Sequence, residues 1–542
     1  MRLLPSFPSR LALATALTVV ALGGAGCAKR ETPVEAGFRT KTLLIGNQNE
    51  PASFDPHLYD SSTEFNIIAA LFEGLTTFDE KTSIPMPGVA ESWDISPDGL
   101  VYTFHLRANA RWSNGDRLTA RDFAWSFERY LSPALASSYA YMLAPIRGAE
   151  AFNAGKTKTF AEVGVTAIDD TTLRLTLARP APYVLGMAVT WMPIHRASVE
   201  AAGRSDDRTS PWARPGKLVG NGAFTLAEWQ PNARVVVTKN PHYWGAAANQ
   251  LERLVFFPIE KSDTEELNFR AGQLHLTFDV PPSKIPVYRR DAPDQLRLDP
   301  LLNVMFVNFN VTKAPLTNPR VRRALALALD RAAITRAVFN DARKPARTFV
   351  APNCGDYDGP EGQREDFAAA RELLTAAGYP GGQGFPTLPM LVRNDATMPK
   401  VAEIIQALWQ RELGVKITIE PSEQKTWVEA RNALRHTIAI GTWTADFPDP
   451  TNFLDPLRTG HGGNSSGWAN PAYDRLLDQA ANTVDPAARL ALLREAEKLA
   501  LDEAAVAPLV FGARTYLIHP AVKNWAPAPM GIHRYQLIEL RN

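Results

Sequence analysis

At 542 residues the chain is too long for one compact core, and about two to four domains are expected. With 45% hydrophobic, 21% charged and 9% aromatic residues it is not a disordered chain; its 34 Gly and 42 Pro, scattered between periodic segments, imply many turns in a large mixed α/β protein. A formal charge of +1 and the absence of any Lys/Arg cluster interleaved with aromatics exclude a nucleic-acid binder, which needs a basic face against phosphate.

Arg2 and Arg10 form a basic region, and residues 11–21 are an almost wholly apolar run. The run is too short to span a bilayer comfortably and reads as a targeting segment. It ends in Gly23-Gly24-Ala25-Gly26-Cys27, which resembles the cleavage and acylation box of bacterial lipoproteins, with Gly24 where Leu is usual. Cleavage there would make a lipidated Cys27 the first residue; it removes two arginines and no acid, turning the formal charge from +1 to −1. No other run reaches spanning length, so export with a membrane-held lipid anchor is expected. Cys354 is the only other cysteine, so the mature chain has no intramolecular disulfide and Cys354 is expected as a small apolar filler. Residues 27–42 are polar without a sustained period and are expected to be a tether.

Beyond the tether, strands and helices alternate. Tyr102, Phe104 and Leu106 share one face of a half-buried strand, as do Leu173, Leu175 and Leu177. Further strands are expected over residues 234–238, 254–259, 303–309 and 415–419. A helix begins at Asn318 as cap and Pro319 in its first turn, with Val321, Ala324, Leu325, Ala328 and Leu329 on its core face. Asp485 and Pro486 repeat that device ahead of Leu492, Ala496, Leu499 and Ala500, and a third helix over residues 366–377 stops at Gly378.

Two glycine-containing strings carry no chemistry. The stretch 378–386, GYPGGQGFP, follows a helix and leads toward a strand, the reverse of a phosphate-binding turn, and is expected to be a loop. The stretch 463–467, GNSSG, satisfies G-x-S-x-G, but no hydrophobic strand precedes Ser465 and the next helix starts near Asn470-Pro471, so a nucleophile elbow cannot be built. The nine His are dispersed, without a zinc-ligand spacing, and no metal or cofactor is expected. More informative is the stretch 441–456, GTWTADFPDPTNFLDP, which puts Trp443, Asp446, Phe447 and Asp449 on a turn-rich segment. Taken alone it leaves alternatives open: Asp446 fits a turn cap, Asp449 the position before Pro450, and Trp443 a core residue.

Five blocks carry a resemblance: residues 52–75, 90–133, 220–245, 306–331 and the WTADFPDP of 443–450. In order and over nearly the whole mature chain, they resemble the bacterial extracellular solute-binding family that includes the oligopeptide- and dipeptide-binding proteins of ATP-driven importers. The resemblance implies an α/β fold of two lobes closing over a ligand, with an extra subdomain inserted in the first. Lobe I would take residues 43–76, 197–302 and 514–542, the insert residues 77–196, and lobe II residues 303–513. It implies that Asp446 accepts a peptide's α-ammonium, that Trp443 lines a neighbouring side-chain pocket, and that Asp60, Ser61 and Ser62 pair with the peptide backbone. It implies a monomeric receptor, not an enzyme, that delivers peptide to importer permease subunits. Where some relatives carry an Arg three residues before the Trp, for the ligand's carboxylate, this chain has Ile440. Relatives also bind nickel complexes, haem, cell-wall peptides or glycosides, which leaves a non-peptide solute as the alternative within the family. A secreted serine hydrolase using Ser465 is the alternative from another class.

Overall fold

The computed structural model describes residues 31–541; the targeting segment and Cys27 lie outside the described residues. Three sheets organise it. The first has the order Thr42–Gly46, Arg253–Phe257, Arg234–Lys239, Phe224–Gln230, its first pair parallel and the others antiparallel. The second runs Ile417–Ser422, Leu388–Arg393, Ile438–Thr444, Leu296–Phe309, Val506–Leu517, parallel at one edge and antiparallel at the other. A third, wholly antiparallel sheet of Ala90–Ile95, Val101–Leu106, Thr172–Thr176 and Val165–Ala167 arises between the first and last strands of the first sheet.

Local patterning explains these elements. Tyr102, Phe104 and Leu106 are buried, and they join one core with Phe123, Phe127 and Leu131 of the helix Ala120–Leu131. Asn318, Asp366 and Asp485 each cap their helix by accepting a backbone N–H, at 3.0, 2.9 and 2.7 Å. Gly378 has the positive φ, 97°, that ends the helix Phe367–Ala376. In the helix Pro486–Asp502 the buried residues are Arg489, Leu493, Ala496, Glu497, Ala500 and Leu501, while Leu492 and Leu499 are only half-buried. The stripe is turned by one residue from the apolar reading and includes two charged groups. Glu497 is buried and accepts from Phe349 N, Val350 N and the Tyr357 hydroxyl at 2.6, 2.8 and 2.7 Å.

The tether expectation fails from Thr32 onward. Pro33–Thr40 is a helix with a full capping box: Thr32 N donates to Glu35 Oε2 at 2.7 Å and Glu35 N to Thr32 Oγ1 at 3.2 Å. It is docked through Val34 and Gly37, and a Cβ on Gly37 would lie 2.6 Å from His275 Cε1 and 2.7 Å from Thr42 O. Eight residues are too few for a helical period to stand out in a polar sequence, so only the cap was there to be read.

Two features hold the units together. Asp55 and Arg129 form a buried ion pair at 2.5 Å between the first unit and the inserted one, extended by Trp212 Nε1 donating to Asp55 and Arg129 Nη1 meeting His57 Nδ1. The strands Leu296–Phe309 and Val506–Leu517 run on as a ribbon from the second sheet to the first, where Thr277 N donates to Leu517 O and Leu276 bridges both Ile45 and Ile518.

Candidate functional site

The strand Ile438–Thr444 leaves the second sheet and delivers the segment 445–450 to the boundary with the inserted unit. Phe447 packs into the inserted unit's own core and stacks on Tyr183 at 5.0 Å between ring centroids. A cavity of about 610 Å³ opens beside this contact, its walls including Tyr141, Tyr183 and Met187 from one unit and Trp443, Asp446 and Asn452 from the other.

Asn452 organises the site. Its Oδ1 accepts from Trp443 Nε1 at 3.1 Å and from Asp446 N at 3.2 Å, and its amide also reaches the Asp446 carboxylate, as does the Tyr141 hydroxyl. Burial raises the Asp446 pKa, and those two neutral donors only partly oppose it. Asp449, three residues on, is in a different state: Arg489 grips it through Nη1 and Nη2 at 2.9 and 2.8 Å, and it caps its own turn through Thr451. Among the described residues no cation pairs with Asp446.

Asp60, Ser61 and Ser62 lie at the start of the helix Ser62–Leu71. Ser61 Oγ is taken up as the cap, accepting from Glu64 N at 3.3 Å, and Asp60 N donates to Glu64 Oε2 at 3.0 Å. A row of tyrosines leads from them to Asp446: Tyr59 stacks on Tyr139 at 4.7 Å and Tyr139 on Tyr141 at 5.8 Å. The Tyr139 phenol, its pKa raised first by burial, feels both Asp446 and Asp60.

Sequence reasoning missed Arg431. Its guanidinium lies over the rings of Trp427 and Phe306, 4.5 and 5.9 Å from their centroids, and donates to Ser465 Oγ at 3.1 Å. Burial lowers its pKa to about 10, no carboxylate pairs with it among the described residues, and its Nε has no partner. The Trp427–Arg431 spacing of four residues on the helix Gln424–Asn432 was its only trace in the sequence. Ser465, the candidate nucleophile, instead receives hydrogen bonds from Arg431 and from Asn308 Nδ2, the latter at 2.6 Å, on the turn before the helix Pro471–Ala481. Two donors aimed at a hydroxyl oxygen do nothing to remove its proton. Cys354 is buried in an apolar cluster.

The family described as "Bacterial extracellular solute-binding proteins, family 5 Middle" matches residues 85–465. The periplasmic murein peptide-binding protein MppA of Escherichia coli is 34% identical over 507 residues, covering 91% of this chain and 92% of that one. An unliganded open form of MppA superposes with a TM-score of 0.83 at 32% identity, covering 92% of this chain and 97% of that one. Haemophilus influenzae OppA in complex with the peptide RPPGFSPFR superposes at 0.74 and 29% identity, covering 93% and 99%. With two α/β lobes, an inserted antiparallel unit and a cleft between them, the chain belongs to the bacterial extracellular solute-binding proteins, family 5.

Proposed function

We propose that this protein is the receptor of an ATP-driven importer and that it captures peptides between its lobes, with Asp446 holding the ligand's α-ammonium. The contrast between two acids on one loop carries the reading. Asp449 is neutralised by Arg489, whereas Asp446 is half-buried and meets only neutral donors. A carboxylate held this way is completed by a ligand that brings a cation. Arg431 supports the complementary half, a largely buried guanidinium without an acid among the described residues, in a chain that has Ile440 where some relatives carry Arg. A zwitterionic peptide brings both missing charges.

Trp443 then packs against a ligand side chain, and the segment Asp60, Ser61 and Ser62 offers backbone groups to an extended peptide, which explains tolerance of sequence. The lobe boundaries drawn from the resemblance belong to this proposal, as do a monomeric state, permease partners and a role in binding, not catalysis. The relatives named for murein peptides and oligopeptides support the peptide as ligand class. Export and lipidation at Cys27 complete the reading; intact-mass analysis of membrane-extracted protein should find an acylated Cys27 as first residue, and an unmodified, wholly soluble chain would count against it.

Calorimetry with trialanine and N-acetyl-trialanine, on wild type and Asp446→Asn, tests the central claim. Removing one partner of a buried charge pair costs about 3–5 kcal/mol, so either change alone should weaken binding roughly a hundred- to several-thousand-fold. Together they should cost little more than one alone, because they remove one interaction. Additive losses, or tight binding of the acetylated peptide by wild type, would take Asp446 out of this role.

A further inference from the structure

The groove beside the helix Pro33–Thr40 shares no residue with the cavity at Asp446. It measures about 480 Å³ and is walled by Thr32, Val34 and Phe38 on one side, and by Phe269 and Val287 of the helices Ser262–Arg270 and Ile285–Asp291 on the other. Its apolar surface runs out to solvent at the rim. Val287 is 40% exposed. Leu267 lies between the groove residues Glu266 and Arg270 on their helix and, at 55%, is the most exposed large apolar side chain among the described residues. Apolar surface gathered in this way marks a contact face.

Charge does not identify what covers it. Arg270 and Lys284 stand against Glu35, Glu266 and Asp291; Arg270 is paired with Glu266 at 2.9 Å and Asp291 with Arg290 at 2.7 Å. A rim of mixed, largely paired charges draws neither an anionic nor a cationic partner from a distance. The length of chain ahead of the groove is more decisive. Thr32 is part of the wall, and Cys27 is five residues earlier. Five extended residues span at most about 18 Å. The headgroup layer takes about 5–7 Å of that, so an acyl group on Cys27 keeps Thr32 within roughly 11–13 Å of the lipid surface. The helix that follows packs on His275 through Gly37, so the groove is carried to the membrane with it.

We propose that this groove and its rim are a bilayer-docking face, which seats the lobe built on the first sheet on the phospholipid surface that holds Cys27. Leu267 and Val287 enter the interfacial layer, and the paired charges stay among the headgroups. The receptor therefore rests on the membrane by one face and does not swing on a free tether. The proposal rests on the reading that Cys27 is acylated, but its test supplies the lipid chemically.

For the experiment, the chain from Cys27 onward is coupled through that thiol to a maleimide-bearing phospholipid in protein-free phosphatidylcholine vesicles; Cys354 is buried and stays unlabelled. Hydroxyl-radical footprinting reads side-chain oxidation with and without vesicles. Oxidation of Leu267 and Val287 should fall at least roughly threefold, while Val484 and Ile168, 52% and 47% exposed in other parts of the molecule, should not change. The fall should be alike at roughly 50 and 500 mM salt, because apolar contact provides it. Ten Gly-Ser pairs inserted between Cys27 and Thr32 separate docking from mere tethering. Protection that persists supports the face; protection lost with the longer tether overturns it. Combining Leu267→Asp with Val287→Asp, both at exposed positions, should abolish the protection of Phe38 in the groove wall, and protection retained by that variant also overturns the proposal. Unchanged oxidation in the vesicles excludes the bilayer as occupant, and protection seen only in native membranes would assign the face to a protein partner instead. Because the coupling is chemical, a natural Cys27 found unmodified counts against acylation alone, and the vesicle result still decides the face.

Discussion

Arg431 is the residue at which stability and function make opposite demands. A largely buried guanidinium with no carboxylate partner among the described residues is expensive to hold, and the lowering of its pKa to about 10 expresses that cost. Its aromatic neighbours and the single hydrogen bond to Ser465 offset only part of it. Arg431→Met is therefore expected to leave the melting temperature unchanged or raise it, while weakening trialanine binding by at least roughly tenfold. The C-terminal amide of the same peptide should bind both proteins alike, because it lacks the carboxylate that Arg431 is proposed to meet. A drop in melting temperature with no change in affinity would make Arg431 a structural residue.

Among the elements, the helix Pro33–Thr40 shows how a short segment is decided by contacts too local and too distant for periodicity to reveal. Its Thr32 to Glu35 box is local; its docking depends on His275, more than two hundred residues away, whose Nδ1 accepts from Leu44 N at 3.0 Å. Gly37 is what lets the helix lie against the His275 ring. Gly37→Ala gains helix propensity but inserts a methyl group 2.6 Å from His275 Cε1 and 2.7 Å from a backbone oxygen. Overpacking should win, with a loss of about 1–3 kcal/mol measured by chemical denaturation. A stabilised variant would show that the helix is not tightly docked. The strands were easier to read, although 254–259 and 415–419 were placed differently from the observed Arg253–Phe257 and Ile417–Ser422, since alternation marks a face and hydrogen bonds mark ends.

For the whole molecule, buried acids give the stability a readable pH dependence. Burial pushes Glu497 and Glu265 each up to about 7, although each accepts backbone N–H bonds. Their folded pKa lies above the ordinary carboxylate value, so their contribution is fully present below about pH 4.5 and is lost as pH rises through about 7. Denaturation of wild type and Glu497→Gln between pH 4 and pH 8 isolates one of them. The wild type should lose on the order of 3 kcal/mol relative to the variant across that window. A pH-independent difference would mean that Glu497 keeps an ordinary pKa. Histidines oppose these acids: burial lowers His57, His275 and His436 to about 3, 3 and 4 and lowers His519 and His533 as well, so on acidification the unfolded chain takes up protons that the folded one resists, which is why the comparison is made between variants and not on the wild type alone.

Order along the chain was enough for the capped helices, the alternating strands and a mixed α/β chain, because caps, alternation and turn residues act within a few residues of one another; the two lobes and the site role of the segment that carries Asp446 were implied only by the resemblance to a known family. It was not enough to separate Asp446 from Asp449. Both are acids on one proline-broken loop, and only the fold brings Arg489 to one and leaves the other with Tyr141 and Asn452. Nor could it find Arg431 without a counter-ion or the docking of the helix Pro33–Thr40, since each depends on partners far apart in the chain. Charge pairing and close packing are settled by distance in space, and in a two-lobed chain that distance is set by how the lobes meet.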